Sequence, residues 1–159
     1  MKTITLSQGY FALVDDADFE KVKHLSWYVT KRKNGRFYAM TSIEGKTVYL
    51  HRYILRVRNR NIEVDHKDRN GLDCRRENLR ECSRSQNMAN ARKFAGQSKS
   101  SHLKGVTWDK ERSKWMAKIM VGHKTINLGR FSSELDAARS YDSAATKHFG
   151  SFARLNGAI

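Results

Sequence analysis

Short apolar runs separated by turn residues dominate the first sixty positions of the chain. Runs of this kind, bounded by Gly, Asn and Asp, predict short strands at 4–14, 27–29, 37–42 and 46–50. The last two are expected to form a hairpin around Glu44-Gly45. The run 49–56 mixes apolar and basic residues, and its periodicity fits a strand and a helix equally. This part of the chain is therefore predicted to be rich in β-structure.

A brief strand, a helix and a polar break follow. Residues 62–64 predict a strand that leads into Asp65-His66, and residues 83–94 have the length and composition of a helix with Ser83 or Ser85 at its N-cap. Residues 95–100 are small and polar, as in a flexible linker. The predicted division is a first domain at 1–94, a linker at 95–100 and a second domain at 101–159.

The second domain is predicted from three strand-like runs and one helix. Apolar and long polar side chains alternate along 114–121, so one face of the sheet is apolar and the other is partly cationic. Ser133 to Asp136 matches a capping box, and the helix that it opens should end near His148, before Gly150. Small residues give this helix a face that can approach the sheet closely. The predicted fold class is α+β throughout.

The charge of the chain narrows its partners. Lys and Arg number 31 against 16 Asp and Glu, a formal net charge of +15. An excess of this size favours a polyanion, with nucleic acid ahead of a membrane surface, although a basic protein with no special partner stays possible in principle. No apolar run is long enough for a membrane span or a secretory signal. Two cysteines, Cys74 and Cys82, fit thiols in a reducing compartment, so a cytoplasmic location is expected.

Candidate chemistry is concentrated after the strand at 62–64. Asp65 and His66 are adjacent, Asn78 lies twelve residues beyond the histidine, and Asn87 lies nine beyond that. An imidazole can serve as a general base near neutral pH, and carboxylate and amide oxygens suit a hard cation such as Mg²⁺. Together with the positive charge, these residue types point to metal-dependent hydrolysis of a phosphodiester.

Each of these residues also has an ordinary structural interpretation. Asp65 can belong to a turn, His66 can be a partly buried histidine, Asn78 can cap a turn, and Asn87 is unremarkable on a polar helix. Similarly, Asp68 is favoured as a turn former. Spacing alone therefore leaves the chemistry open.

The segment 64–90, with the sequence VDHKDRNGLDCRRENLRECSRSQNMAN, resembles the HNH nuclease motif, especially the branch found in phage and intron-encoded homing endonucleases. The upstream pair His51-Arg52 is also similar to this branch, with His51 favoured as a structural residue or a phosphate contact. The resemblance implies a ββα-metal core at about 50–94. It also implies that His66 is the general base, that Asp65 and Asn87 bind the metal, and that Asn78 orders the loop. The implied ion is Mg²⁺, with Mn²⁺ as the alternative.

The second domain resembles the AP2/ERF DNA-binding domain. The similarity lies at Gly105-Val106, Trp108, residues 115–117, residues 128–131 and residues 137–145. Domains of this family place a three-stranded sheet in the major groove, a groove that admits a two-stranded β-ribbon. The resemblance thus supports the cationic face as a DNA-binding surface.

Both domains are therefore expected to contact DNA. The predicted contacts in the first domain are arginines near the site, namely Arg52, Arg69, Arg75, Arg76, Arg80 and Arg84. The predicted contacts in the second domain are on or beside its strands, namely Lys104, Thr107, Lys114, Lys118, Met120, Lys124 and Asn127.

The sequence predicts a two-domain HNH endonuclease of the homing type that hydrolyses double-stranded DNA. One site per chain makes a nick the simplest product. The alternative from another class is a catalytically inactive, sequence-specific DNA-binding regulator, and a nuclease acting on RNA or on a particular nucleic-acid structure is a third. No membrane partner is expected, the sequence identifies no protein partner, and it is compatible with a monomer.

Overall fold

The computed structural model of the chain describes residues 1–33, 35–93 and 100–157. The chain forms two compact units, Met1–Ser83 and Arg84–Ile159. The predicted linker lies outside the described residues except for Ser100. The compact units divide before residue 94, so the residues after Ser83 fall in the second unit, and the domain boundary proposed from the sequence stays a prediction. Among the described residues, no helix combines the length and the apolar composition needed to cross a membrane.

The first unit is made of small antiparallel sheets joined by short helices. Its strands are β1 (Lys2–Thr5), β2 (Phe11–Val14), β3 (Tyr28–Lys31), β4 (Phe37–Ile43), β5 (Lys46–Tyr49), β6 (Glu63–His66) and β7 (Leu79–Cys82). Its helices are α1 (Asp16–Val22) and α2 (Leu50–Leu55). Strand β1 pairs with β2, β4 lies between β3 and β5, and β6 pairs with β7.

The sequence prediction of one strand over 4–14 is wrong, because the chain turns back within it. A 3-10 turn at Ser7–Gly9 separates β1 from β2, and both Gln8 (φ 60°) and Gly9 (φ 75°) have left-handed backbone that ends an extended strand. Helix α1 was not predicted at all. The undecided run 49–56 forms α2, and the hairpin around Glu44-Gly45 is confirmed.

Apolar side chains from these elements form one core in the first unit. Val14, Val22 and Leu50 are among its fully buried members, and the Trp27 indole donates a hydrogen bond to the carbonyl of Val22 (2.9 Å). Because β2, α1 and α2 all supply core residues, α2 is held firmly beside the hairpin that carries Asp65 and His66.

The second unit has the predicted sheet of three antiparallel strands and a helix on its apolar face. Its elements are α3 (Arg84–Asn90), β8 (Val106–Asp109), β9 (Lys114–Val121), β10 (Lys124–Phe131) and α4 (Glu134–Phe149). Helix α3 is shorter than the predicted 83–94, whose last residue lies outside the described part of the chain. The AP2-like identity of this unit stays a prediction.

Small residues let α4 pack closely on the sheet, as predicted. Ala137, Ala138 and Ala145 are almost completely buried against it. A Cβ at Gly105, where φ is +76°, would come within 2.0 Å of the Tyr141 ring, so this position requires glycine. The side chain of Ser133 accepts a hydrogen bond from the backbone of Asp136, which confirms the predicted N-cap.

Candidate active site

Strands β6 and β7 bring Asp65 into contact with Arg80. The two residues are directly opposite each other in the antiparallel register, so their side chains share a face. The Arg80 Nε and Nη2 atoms both donate to Asp65 Oδ2, at 2.9 and 2.7 Å. Asp65 is only 3% exposed, and the guanidinium therefore balances a carboxylate that would be costly to bury alone.

His66 ends β6 in a buried aromatic pocket. Its ring centroid lies 5.9 Å from that of Tyr38 and 5.0 Å from that of His51, and its Nε2 lies 4.0 Å from Cys74 Sγ. Burial lowers the pKa of His66 to about 4, although the charge of Asp68 opposes that shift. The imidazole is therefore neutral at pH 7 and able to accept a proton.

A second histidine reaches the same pocket from α2. His51 is buried, stacks on the Tyr49 ring (centroids 5.4 Å apart) and meets His66 edge to face. Burial holds the pKa of His51 well below its usual range. Its Nδ1 is buried and finds no hydrogen-bond partner among the described residues, which is an uncommon condition for a native polar atom.

Asn78 orders the loop between β6 and β7. Its Nδ2 donates to Asp68 Oδ1 and to the carbonyl of Asp73, both at 2.8 Å, and its Oδ1 accepts from the backbone of Asp68 (3.0 Å). Asp68 also accepts from the backbone of Asn70, which makes it the turn former that the sequence favoured. Asn78 makes the loop-ordering contacts expected of it, and its importance for catalysis stays a prediction.

The same loop is fixed to the sheets on either side. Leu13 in β2 exchanges backbone hydrogen bonds with Leu72 and Cys74, at 2.8 and 2.9 Å. A Cβ at Gly71 would lie 2.3 Å from the carbonyl oxygen of Phe37, so only glycine allows this approach to β4. The loop therefore holds Cys74 against His66.

Most arginines predicted to contact DNA from the first unit have partners inside it. Arg52 donates to two backbone carbonyls, Arg75 pairs with Asp73 and Glu77, and Arg76 grips Asp18 through two hydrogen bonds. Arg80 pairs with Asp65, as described above. The Arg69 side chain makes no hydrogen bond or ion pair with the described residues, and Arg84 begins α3 in the second unit. DNA contact by these residues stays a prediction.

The predicted metal ligands lie in different compact units. Asp65 belongs to the first, and Asn87 lies on α3 in the second. Among the described residues, no group of three or more His, Cys, Asp and Glu could hold a metal ion. A carboxylate and an amide are hard oxygen donors, which fit Mg²⁺ completed by water. A metal site formed by this pair stays a prediction.

The strand register of the second unit shows on which face of the sheet each predicted DNA contact lies. Thr107 lies opposite Met116, and Asn127 lies opposite Lys118, so these side chains share the outer face with the other even-numbered residues of β9. The outer face then carries five predicted contacts, namely Thr107, Lys114, Lys118, Met120 and Asn127. Lys124 lies opposite Val121, on the other face.

The Lys104 side chain binds backbone carbonyls within the second unit. Its ammonium donates to the carbonyls of Met88, Ala89 and Ala91 at the end of α3, and burial lowers its pKa to about 8. These contacts give Lys104 a structural role, and its contact with DNA stays a prediction. Arg130, which was not among the predicted contacts, also lies on the outer face and pairs with Asp109 (2.8 Å).

The aromatic wall of the pocket that holds His51 and His66 was not predicted from the sequence. Tyr38 and Tyr49 come from β4 and β5, and their spacing along the chain carries no sign of His66. The pair His51-Arg52 was the available signal, because it follows β5 directly and brings α2 into the pocket.

Residues 48–89 match the family model of HNH endonucleases. No curated protein matches the chain. The matched segment contains β6, β7, their connecting loop, α2 and most of α3, and so includes every residue predicted for catalysis or metal binding. HNH nucleases generally use a divalent metal ion. The match supports an HNH nuclease domain, and with it a hydrolase that acts on DNA.

Proposed function

We propose that the chain is a metal-dependent DNA endonuclease of the homing type, with catalysis in the HNH segment and DNA held by an AP2/ERF-like second unit. One observation carries this proposal. His66, a neutral and buried imidazole, lies at the end of β6 beside Asp65, within the segment that matches HNH endonucleases.

His66 is the proposed general base. It takes a proton from the water that attacks the scissile phosphorus. A phosphate next to the ring favours the protonated form, so bound DNA raises the proton affinity of an imidazole that burial alone has weakened. The Tyr38 and His51 rings limit its movement, and its orientation toward the substrate is thereby maintained.

Asp65 and Asn87 are the proposed metal ligands. Arg80 donates two hydrogen bonds to Asp65 Oδ2 and so also orients this carboxylate. Mg²⁺, or alternatively Mn²⁺, would neutralise charge that develops on the phosphate and on the departing oxygen. Asn78 holds the loop that connects β6 to β7 and thereby keeps His66 in place.

The outer face of the β8–β10 sheet is the proposed targeting surface. Lys118 and Asn127 are adjacent on it, and Met120 is 64% exposed there. Long cationic and amide side chains on a β-surface suit phosphate contacts and base edges in a major groove. A tethered DNA-binding unit would raise the local concentration of DNA at a weakly specific catalytic unit.

A plasmid assay tests the proposal. Purified protein is incubated with supercoiled plasmid and Mg²⁺, with and without EDTA, alongside His66→Ala. Because His24 is an exposed histidine of the same unit, His24→Ala is the matched control. Open circles should form with Mg²⁺ for the wild type and His24→Ala, and fail to form with EDTA or for His66→Ala.

The remaining outcomes distinguish the alternatives. Duplex binding without cleavage of plasmid or of a randomised duplex pool favours the DNA-binding regulator. Cleavage of RNA in preference to duplex DNA, in a competition assay, favours the RNA-directed nuclease. Linear product without open circles indicates paired active sites, and cleavage by His66→Ala removes His66 as the base.

A further inference from the structure

A groove beside α2 carries arginines that the fold itself does not use. Its walls are α1, the β4–β5 hairpin, α2 and the segment that follows α2, and we call it the arginine groove. Apart from Lys21, which pairs with Asp18, its exposed cations are Lys46, Arg56, Arg58 and Arg60. Their side chains make no hydrogen bond or ion pair with any described residue. They differ in this respect from Arg75, Arg76 and Arg80, which are all bound inside the unit.

The segment that carries these arginines is held in a defined shape. Arg52 donates to the carbonyls of Ile62 (2.7 Å) and Asn59 (2.8 Å) and so ties the segment after α2 back to the helix. Arg56 itself caps α2 in a left-handed conformation (φ 57°). The cations are therefore presented by ordered backbone, so that less conformational entropy is lost when an anion binds.

Little negative charge opposes them. Asp18 and Glu44 are the carboxylates among the residues that line the groove. The Asp18 carboxylate is already bound by Arg76 and Lys21, and the guanidinium of Arg76 holds the pKa of Asp18 below its usual range. The groove thus has a surplus of unpaired guanidinium groups, which recognise phosphate through paired N–H donors.

One residue of the groove also contacts the catalytic pocket. Tyr49 lines the groove, and its ring stacks on His51, which in turn contacts His66. An extended polyanion with one phosphate at His66 could therefore pass along the groove. Double-stranded DNA, whose strands carry a phosphate at every nucleotide, has this form.

We propose that the arginine groove binds the sugar-phosphate backbone of duplex DNA next to the scissile phosphate. This inference rests on the proposed nuclease function and extends it, because it assigns a DNA surface to the catalytic unit itself. The sequence signal is arginine at every second position of 56–60.

The test compares two triple variants of equal charge. One is Arg56→Gln, Arg58→Gln and Arg60→Gln. The control is Lys23→Gln, Lys31→Gln and Lys147→Gln, which removes three exposed cations that do not line the groove. Affinity for a 30-base-pair duplex is measured by fluorescence anisotropy from 0.05 to 0.3 M salt, and urea unfolding verifies that each variant folds.

The groove variant should bind on the order of 100-fold more weakly at 0.15 M salt, with a salt slope smaller by about 2 to 3, as expected for the loss of three phosphate contacts. The control should stay close to the wild type. Equal losses in the two variants would overturn the inference, as would a groove variant that binds like the wild type.

Hydroxyl-radical footprinting locates the effect. The groove variant should lose protection on the strand segment next to the nick and keep the rest of the footprint, whereas loss elsewhere would refute the assignment. At saturating protein, its cleavage rate should approach that of the wild type. If the wild type binds but never cuts, the proposed function fails, while the comparison of the two triple variants still decides the inference.

Discussion

The two compact units differ in where they keep polar side chains. The first unit buries charged and polar groups next to its apolar core, namely Asp18, Thr41, His51, Asp65, His66, Asp73 and Asn78. The core of the second unit is built mainly from alanines and other apolar residues, its buried polar residues are Asn90 and Ser101, and most of its described charged side chains are exposed.

This difference separates chemistry from binding. Burying an ionisable group costs free energy unless a partner compensates it, so an unusual concentration of such groups marks a candidate catalytic region. Surface charges cost little and bind polyanions well. This difference fits the proposal that the first unit carries the catalytic residues and the second unit binds DNA.

The largest expected effect of a single substitution on stability comes from breaking the buried ion pair of the first unit. Arg80→Ala removes the guanidinium that pairs with the buried Asp65 carboxylate, which should reduce the free energy of unfolding by about 3–5 kcal/mol. Urea unfolding measures this loss.

Two further variants control for it. Arg69→Ala removes an arginine whose side chain has no partner among the described residues, and should change stability by less than about 0.5 kcal/mol. Adding Asp65→Asn to Arg80→Ala removes the negative charge of the buried carboxylate. The double variant should therefore recover part of the lost free energy of unfolding. Equal destabilisation by Arg69→Ala and Arg80→Ala would show that the ion pair is not special.

Some features of the fold could be predicted from the sequence, and others, including the buried Asp65–Arg80 pair, could not. The hairpin at Glu44-Gly45 and helix α4 were predictable because each depends on local turn and capping chemistry. The Asp65–Arg80 pair was not, because it depends on the register of two strands separated by a twelve-residue loop. The break in the first predicted strand at Gln8 was missed because glutamine seldom adopts a left-handed backbone.

The residues of the candidate active site also divide into those that the sequence could predict and those that it could not. His66, Asp65 and Asn78 could be selected from spacing and from family resemblance, since nuclease motifs combine few residue types. The aromatic wall of Tyr38 and Tyr49 could not, because their roles depend on how β4 and β5 pack against α2. Internal partners such as Asp18, which binds Arg76, are likewise visible only in three dimensions.

Stability is also expected to depend on pH. In the folded protein, burial lowers the pKa of His66 to about 4 and also lowers the pKa of His51. A histidine in the unfolded chain has a pKa of about 6.5. Below that pH the unfolded chain therefore binds more protons than the folded protein does. The free energy of unfolding should therefore be highest above pH 6.5. It should decrease as the pH falls toward 4, by up to about 1.4 kcal/mol per pH unit for each histidine.

Urea unfolding in EDTA from pH 7.5 to 4.5 checks this dependence. His51→Phe keeps an aromatic ring on Tyr49 and removes one buried titrating group, so its loss of stability should be shallower. His24→Gln, at an exposed position, should follow the wild type. Identical pH dependence for all three proteins would contradict the buried, neutral state of His51.

The smallest effect belongs to the second unit. Lys118→Ala removes one exposed cation from the outer face, so it should leave stability nearly unchanged and reduce the salt slope of duplex binding by about 0.9. Lys147→Ala, on the exposed side of α4, is the control and should leave the slope unchanged. A slope unaffected by Lys118→Ala would remove this residue from the DNA-binding surface.

The division between catalysis and binding is tested most directly by measuring single-turnover cleavage and duplex affinity for the same two variants. His66→Gln should lower the cleavage rate at saturating protein by about 10²- to 10⁴-fold and leave Kd within a few-fold of the wild type. Lys118→Ala should raise Kd and leave the saturated rate unchanged. A wild-type cleavage rate in His66→Gln would contradict the account.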